Sequence, residues 1–172
     1  YAAVCGYEPE FIKIENMAIG SSLTLENPPN KRYKGESSHA LINGMGGTIN
    51  YQDKSWQGFE AEDLIAIIDL GSAKTINAVE VRFLQSQVFW IFLPYHIQIE
   101  HSSDGKNFEL IYEDFPSNNF SFEQKIISYK ANLGPLESRF IRVKGYNIDQ
   151  CPDYHPGAGG PSWIFSDEII IN

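Results

Sequence analysis

Tyr95-His96-Ile97-Gln98-Ile99-Glu100, then Ser103-Asp104-Gly105-Lys106, then Phe108 to Tyr112, is the stretch that decides the fold. Apolar Tyr95, Ile97 and Ile99 alternate with polar His96, Gln98 and Glu100, the period-two signature of a half-buried strand. The Asp-Gly pair marks a hairpin turn, and Phe108 to Tyr112 is the return strand. Outward on both sides the pattern repeats. Phe11 to Ile14, Ser22 to Leu25, Leu64 to Gly71, Ile76 to Leu84, Phe120 to Tyr129, Arg139 to Val143 and Ile164 to Ile171 read as strands. Asn27-Pro28-Pro29-Asn30 cannot continue a strand. Lys31 to His39 is polar and loop-like, and Gly145 to Pro161 is a long Gly- and Pro-rich loop. With about eight short strands, turns between them and no convincing helix, the chain reads as all-β, an antiparallel sandwich or jelly roll. Apolar Phe11 to Ile14 and Ile169 to Ile171 both need neighbours, so the two ends of the sandwich are expected close together.

The chain of 172 residues is long enough for one domain with a proper core, assigned to residues 11–172. Residues 1–10 lack a period and read as a linker or the tail of a preceding domain. No leader pattern is read at the N-terminus, so a mature product or an excised piece of a longer protein is expected. The net charge of −9 argues against nucleic acid and anionic membranes as partners. The longest apolar run, Val88 to Tyr95, is short and holds Pro94. Cys5 and Cys151 either pair across the fold or stay as two thiols, and they leave the compartment open.

A second stretch draws attention. Ala40-Leu41-Ile42-Asn43-Gly44-Met45-Gly46-Gly47-Thr48 is too glycine-rich for a helix and too irregular for a strand. Its glycines permit a tight curl that turns carbonyls inward, with Asn43 and Thr48 adding side-chain oxygens. Converging hard oxygens suit Ca²⁺, and Asp167-Glu168 could supply the missing carboxylate. The alternative is a glycine-rich turn with no ion.

Together, Ile42-Asn43-Gly44, Thr48, Trp56, Ile68-Asp69-Leu70-Gly71, Ser102 to Phe108, Arg139-Phe140-Ile141-Arg142-Val143 and Asp167-Glu168-Ile169 resemble a factor V/VIII type C (discoidin-like) domain, whose galactose-binding-like fold includes many carbohydrate-binding modules. Trp56-Gln57-Gly58-Phe59, Asp63-Leu64, Phe83-Leu84-Gln85, Trp90 to Pro94 and Cys151 to Gly160 further resemble the C-terminal domain of bacterial β-N-acetylhexosaminidases. The resemblance implies a non-catalytic module of an exported glycoside hydrolase. It also implies a structural cation, usually Ca²⁺, held by Ala40 (carbonyl), Asn43, Met45 (carbonyl), Thr48 (carbonyl and hydroxyl), Asp167 (carbonyl) and Glu168 (carboxylate). Asn43 stands where the family usually has Asp, and the lost charge should weaken the ion.

Sugar recognition needs an aromatic face and a few polar groups, set on loops. Candidates are Tyr51 with Trp56 to Phe59; Gln85, Gln87, Phe89 and Trp90; and Tyr154, His155 and Trp163. Burial beneath the glycine loop is the favoured reading of Trp56. Trp90 suits either sugar stacking or packing, with its apolar neighbours, inside the fold or against a catalytic domain. His96, His101, His155, Asp104 and Asp153 do not complete a zinc site. Glu60, Glu62 and Asp63 read as a solvated face rather than a hydrolytic pair. No nucleophile elbow or phosphate loop occurs. The reading is a carbohydrate-binding module for galactose or N-acetylhexosamine termini, not itself an enzyme. Its competitor is a brace that buries Phe89, Trp90 and Phe92 on the parent catalytic domain.

Overall fold

The computed structural model describes residues 11–172; the expected linker at 1–10 and any pairing of Cys5 lie outside the described residues. Among the described residues nine strands follow in order: β1 (Ile12–Lys13), β2 (Ser22–Leu25), β3 (Met45–Gly46), β4 (Gln57–Glu60), β5 (Leu64–Gln85), β6 (His96–Ser102), β7 (Glu109–Asp114), β8 (Lys125–Tyr146) and β9 (Trp163–Ile171). Short 3-10 turns lie between them at Lys31–Tyr33, Ala40–Ile42 and Gln87–Phe89.

Two strands organise the rest. β5 and β8 each run 22 residues and pair antiparallel along nearly their whole length. The first half of β5 lies between β2 and the second half of β8, which continues to β6 and β7. The second half of β5 lies between β9 and the first half of β8, and β9 continues to β4. The continuous strands therefore serve both layers of the sandwich.

The register shifts between Asp69 and Lys74 and again between Ile76 and Ala78. Such irregularities bend strands and change which face a side chain meets. Accordingly the buried positions of β5 include Leu64, Ala66, Ile68 and Leu70 before the bend, and Val79, Val81 and Phe83 after it. The change of parity made the sequence read as two strands where the structure has one. Both sets join Ile97, Ile99, Ile141, Val143, Ile169 and Ile171 in a single core.

β6 and β7 form the expected hairpin, with Gly105 at φ 72°. Asp104 accepts hydrogen bonds from the Lys106 and Asn107 amides and the Ser102 hydroxyl, which hold its carboxyl well below the usual range. The expected strand at Phe120 differs: β8 starts only at Lys125, and exposed Phe120 and Phe122 lie in a loop. Their alternation has no strand beside it to pair with. Near the N-terminal end, β1 pairs with β3, while the Met17 amide donates to the Ile171 carbonyl at 2.9 Å, so the two ends do meet.

Candidate functional site

Two neighbouring constructions carry the polar and aromatic residues. The first is the glycine loop. Ala40–Ile42 is a buried 3-10 turn, and Asn43 follows it as C-cap. Of the three glycines after it, only Gly44 has positive φ, at 76°. Gly47 is needed for a different reason: a Cβ there would lie 2.5 Å from Trp56 Nε1. The loop thus requires absent side chains more than unusual angles.

Its amides point at the last strand. Gly44 N–H donates to Glu168 Oε1 at 2.8 Å, and Gly47 N–H donates to Asp167 Oδ2 at 2.7 Å. Asn16 Nδ2 donates to the same Glu168 oxygen at 2.7 Å. Arg82 bridges to both Asp167 oxygens, at 3.1 and 2.9 Å, and reaches the Gly47 carbonyl at 3.3 Å. Asp167 and Glu168 are completely buried in the middle of β9. Burial pushes the Asp167 carboxyl up to about 6 despite Arg82, and Glu168 up to about 7 despite Asn16 and the Gly44 amide.

Six residues were expected around a cation. Their loop and strand are brought together, yet several oxygens already have partners. Asn43 Oδ1 accepts from the Met45 amide at 3.0 Å. The Thr48 hydroxyl donates to Asp53 Oδ2 at 2.6 Å, and the Thr48 carbonyl accepts from Trp56 Nε1 at 2.9 Å. One oxygen stands apart: Glu168 Oε2 is buried with no hydrogen-bond partner among the described residues. A buried carboxylate oxygen left so is costly unless a cation or proton satisfies it. Among the described residues no three His, Cys, Asp or Glu side chains gather, so a cation here would depend on backbone and amide oxygens beside Glu168.

The second construction is an aromatic cleft of about 190 Å³, lined by Arg32, Tyr33, Tyr51, Phe89, Trp90, Ile91, Trp163 and Phe165. Tyr33 is its hub, with ring centroids 5.0 Å from Phe165, 5.4 Å from Trp163 and 5.8 Å from Tyr51. Tyr51 in turn packs on Phe89 at 4.6 Å. Trp90, 37% exposed, sits in the left-handed region at φ 65°. That conformation is unusual for a bulky residue and must be held by its surroundings. It is: the Trp90 carbonyl accepts from the Trp163 amide at 2.9 Å, and the indole lies against Gly157 and Gly160, where any Cβ would approach within 2.4 and 2.5 Å.

The expected sugar contacts divide. Tyr51, Trp90 and Trp163 come together in the cleft. Tyr154 is 41% exposed but lies outside it, edge-on to Phe120, with its hydroxyl donating to the Asn118 carbonyl. Gln85, Gln87 and His155, expected among the sugar contacts, are buried and offer a ligand no exposed face. Gln85 Nε2 donates to the Glu123 carbonyl at 3.2 Å, and Gln87 Nε2 donates to the Asn119 carbonyl at 2.8 Å. His155 Nδ1 accepts from the Gly157 amide at 3.0 Å, leaving Nε2 to donate to the Gln87 carbonyl at 2.7 Å. Buried amides and imidazoles need partners, and these spend theirs pinning the loops that flank Trp90. Trp56 to Phe59 are buried as well, so they form no platform.

Tyr33, Arg32 and Phe165 were not anticipated as cleft residues. An aromatic between two cations in a polar segment was the one available signal for the first two. Trp56, 1% exposed, joins the constructions: its indole bonds the glycine loop and its rings pack with Phe165 and Ile91, against which Tyr33, Tyr51 and Trp163 rest.

No family model matches the sequence, and the comparison with curated proteins gives no match. Solved structures do match in fold. The module CpGH89CBM32-6 from Clostridium perfringens is 17% identical with a TM-score of 0.54, covering 92% of this chain and 98% of that one. Chitosan-binding module 1 of a chitosanase/glucanase from Paenibacillus sp. IK-5 is 13% identical with a TM-score of 0.58, over 92% and 98%. The CBM32 of AlyQ, in complex with 4,5-unsaturated mannuronic acid, is 16% identical with a TM-score of 0.51, over 94% and 98%. At these identities the shared property is the β-sandwich itself.

Proposed function

We propose that this chain is a non-catalytic carbohydrate-binding module of an exported glycoside hydrolase, and that the aromatic cleft is where it takes a glycan terminus. The observation that carries the reading is Trp90, a partly exposed indole fixed in a strained backbone at the mouth of a cleft walled by aromatic rings. Rings present flat apolar faces to the C–H side of a sugar, while Arg32 and the tyrosine hydroxyls offer polar contacts. The cleft is smaller than pockets for drug-sized ligands, roughly 300–1,000 Å³, which suits a single terminal ring. That its fold neighbours include modules of carbohydrate-active enzymes supports the reading. The sequence resemblance favours a β-N-acetylhexosaminidase parent, and galactose or N-acetylhexosamine as ligand.

The reading includes a structural Ca²⁺ at the glycine loop. Ala40, Met45 and Thr48 would offer carbonyl oxygens, Asn43 its amide oxygen and Glu168 its carboxylate, with Asp167 contributing a backbone carbonyl. The unpartnered Glu168 Oε2 supports this. The ion would supply no chemistry beyond fixing the loop.

Binding is tested by titrating the isolated chain with galactose, N-acetylglucosamine and N-acetylgalactosamine, followed by amide NMR shifts. Shifts confined to residues near Tyr33, Tyr51 and Trp90 are expected, and their absence in Trp90→Ala. No shift with any sugar on a broad glycan array sinks the reading.

A second reading has its own observation. Val88, Phe89, Phe120, Phe122 and Tyr154 are exposed apolar side chains on the loops beside Trp90. Such a patch suits packing on a parent catalytic domain. Deleting this domain from the parent would then lower the enzyme's melting temperature with no change in glycan retention.

A further inference from the structure

We infer that the cleft selects an acidic saccharide, one carrying a carboxylate or sulfate, by means of a cation cluster on its rim; this deepens the sugar-binding reading and rests on it. Beside the cleft lies a groove of about 330 Å³ whose lining includes Lys31, Arg32, Lys34 and Lys54. Arg32 and Tyr33 line both spaces, so groove and cleft share a wall. The chain has 22 acidic residues against 13 Lys and Arg, which makes this concentration of cations unusual.

Among the described residues the cluster makes no salt bridge: the bridges engage Arg82, Lys125, Arg139, Arg142, Lys144, His96 and His101, and none of the four groove cations. Two acidic residues share the groove, Glu36 and Asp53. Asp53 is already engaged by the Thr48 amide and hydroxyl, through the same oxygen, at 2.8 and 2.6 Å. Glu60 and Glu62 face Lys31 from a neighbouring groove, and Glu60 is bonded by Asn30 at 3.2 Å.

The backbone bearing the cations is held firmly. Asn30 Oδ1 caps the turn by accepting from the Arg32 amide at 3.0 Å, and Lys34 bridges to Gln57 of β4. The Arg32 guanidinium lies 5.4 Å over the Tyr33 ring, poised between the aromatic wall and the groove. A neutral sugar would leave these charges idle, whereas an anionic substituent on a ring stacked in the cleft would meet them. Charge-assisted hydrogen bonds are about twice as strong as neutral ones.

The test compares sugars that differ only in charge. Trimers of galacturonate, mannuronate and glucuronate are titrated by calorimetry, each against its methyl ester, and 6-O-sulfated galactotriose against the unsulfated sugar. The expected result is at least one acid binding roughly tenfold tighter than its neutral form, with the gain lost at about 1 M salt, where the screening length falls to about 3 Å. In Lys34→Gln/Lys54→Gln, checked as folded by its melting curve, the acid-to-neutral ratio should fall toward one. Preference for the carboxylated or the sulfated series identifies which anion is taken. Equal binding of charged and neutral forms, or a ratio unmoved in the double variant, overturns acidic selection while leaving the cleft a sugar site. Failure of every sugar, charged and neutral, removes both readings.

Discussion

The glycine loop and the aromatic cleft lie on either side of Trp56 and solve opposite problems. At the loop, polar groups are sealed inside: two carboxyls with no exposure meet amides, Asn16 and Arg82, and among the described residues Glu168 Oε2 is left without a partner. At the cleft, apolar rings are left partly outside, and buried polar groups such as Gln87 and His155 serve only to hold them there. Unmet polarity in one place and unmet apolar surface in the other are the two departures from an ordinary sandwich. Each departure costs stability and persists where the surroundings over-determine it. The loop therefore reads as rigidity, and under the proposed function the cleft is the place of recognition.

The sharpest way to break this contrast is Glu168→Ala. It strips the acceptor from Gly44 N–H and Asn16 in a dry interior, and should cost about 3–5 kcal/mol in urea unfolding. A loss below about 1 kcal/mol would show that the loop is not a stabilising element. Next comes the cation and its pH dependence. Both buried carboxyls titrate above their ordinary values, so the folded chain holds those protons more tightly than the unfolded one. In chelator the melting temperature should fall as pH rises from about 4 to about 7, an effect on the order of a few kcal/mol. With Ca²⁺ bound, the ionised form is the favoured one and the fall should shrink or reverse. Identical curves in chelator and Ca²⁺ would remove the ion.

A smaller effect is expected from Trp90→Ala. It should lower glycan affinity at least about tenfold, some 1.4 kcal/mol, and leave the chelator response of the melting temperature intact. Loss of that response along with binding would show that loop and cleft are one unit. The smallest belongs to a pair on β5 and β8 that is part of neither. Arg139 holds Asp69 by two hydrogen bonds at 2.7 and 2.9 Å, chiefly for which the Asp69 carboxyl sits below its usual value. The pair is largely open to solvent, so Arg139→Gln should lower stability only slightly at neutral pH, less still below the carboxyl's ordinary range.

How far the sequence could be read follows from how local each signal is. Alternation at Tyr95 to Glu100 and the Asp104-Gly105 turn identify the hairpin because both depend on neighbours a few residues away. Phe120-Ser121-Phe122 carries the same alternation and is a loop, because pairing requires a partner strand that only the tertiary arrangement can supply. The bend in β5 escaped notice for a related reason. A bulge shows in sequence as a break in period, which is also how two strands and a turn appear.

The site was legible in the same uneven way. Ala40 to Thr48 and Asp167-Glu168 declare themselves by composition, since three glycines and two acids in an apolar strand have few other uses. Tyr51, Trp90 and Trp163 could be suspected only singly, whereas Trp56 reads as buried beneath the glycine loop and is buried.

By itself the sequence determined the all-β class and the hairpin, and it marked a glycine-rich loop and an acidic final strand, because period, turn chemistry and residue type act over short range; that loop and strand meet is a tertiary fact. Only the tertiary structure decided which aromatics stay partly uncovered, which polar side chains are consumed inside, and that Lys31 to Lys34 and Lys54 line one groove. Those outcomes depend on how much room each side chain is left by elements distant in the chain.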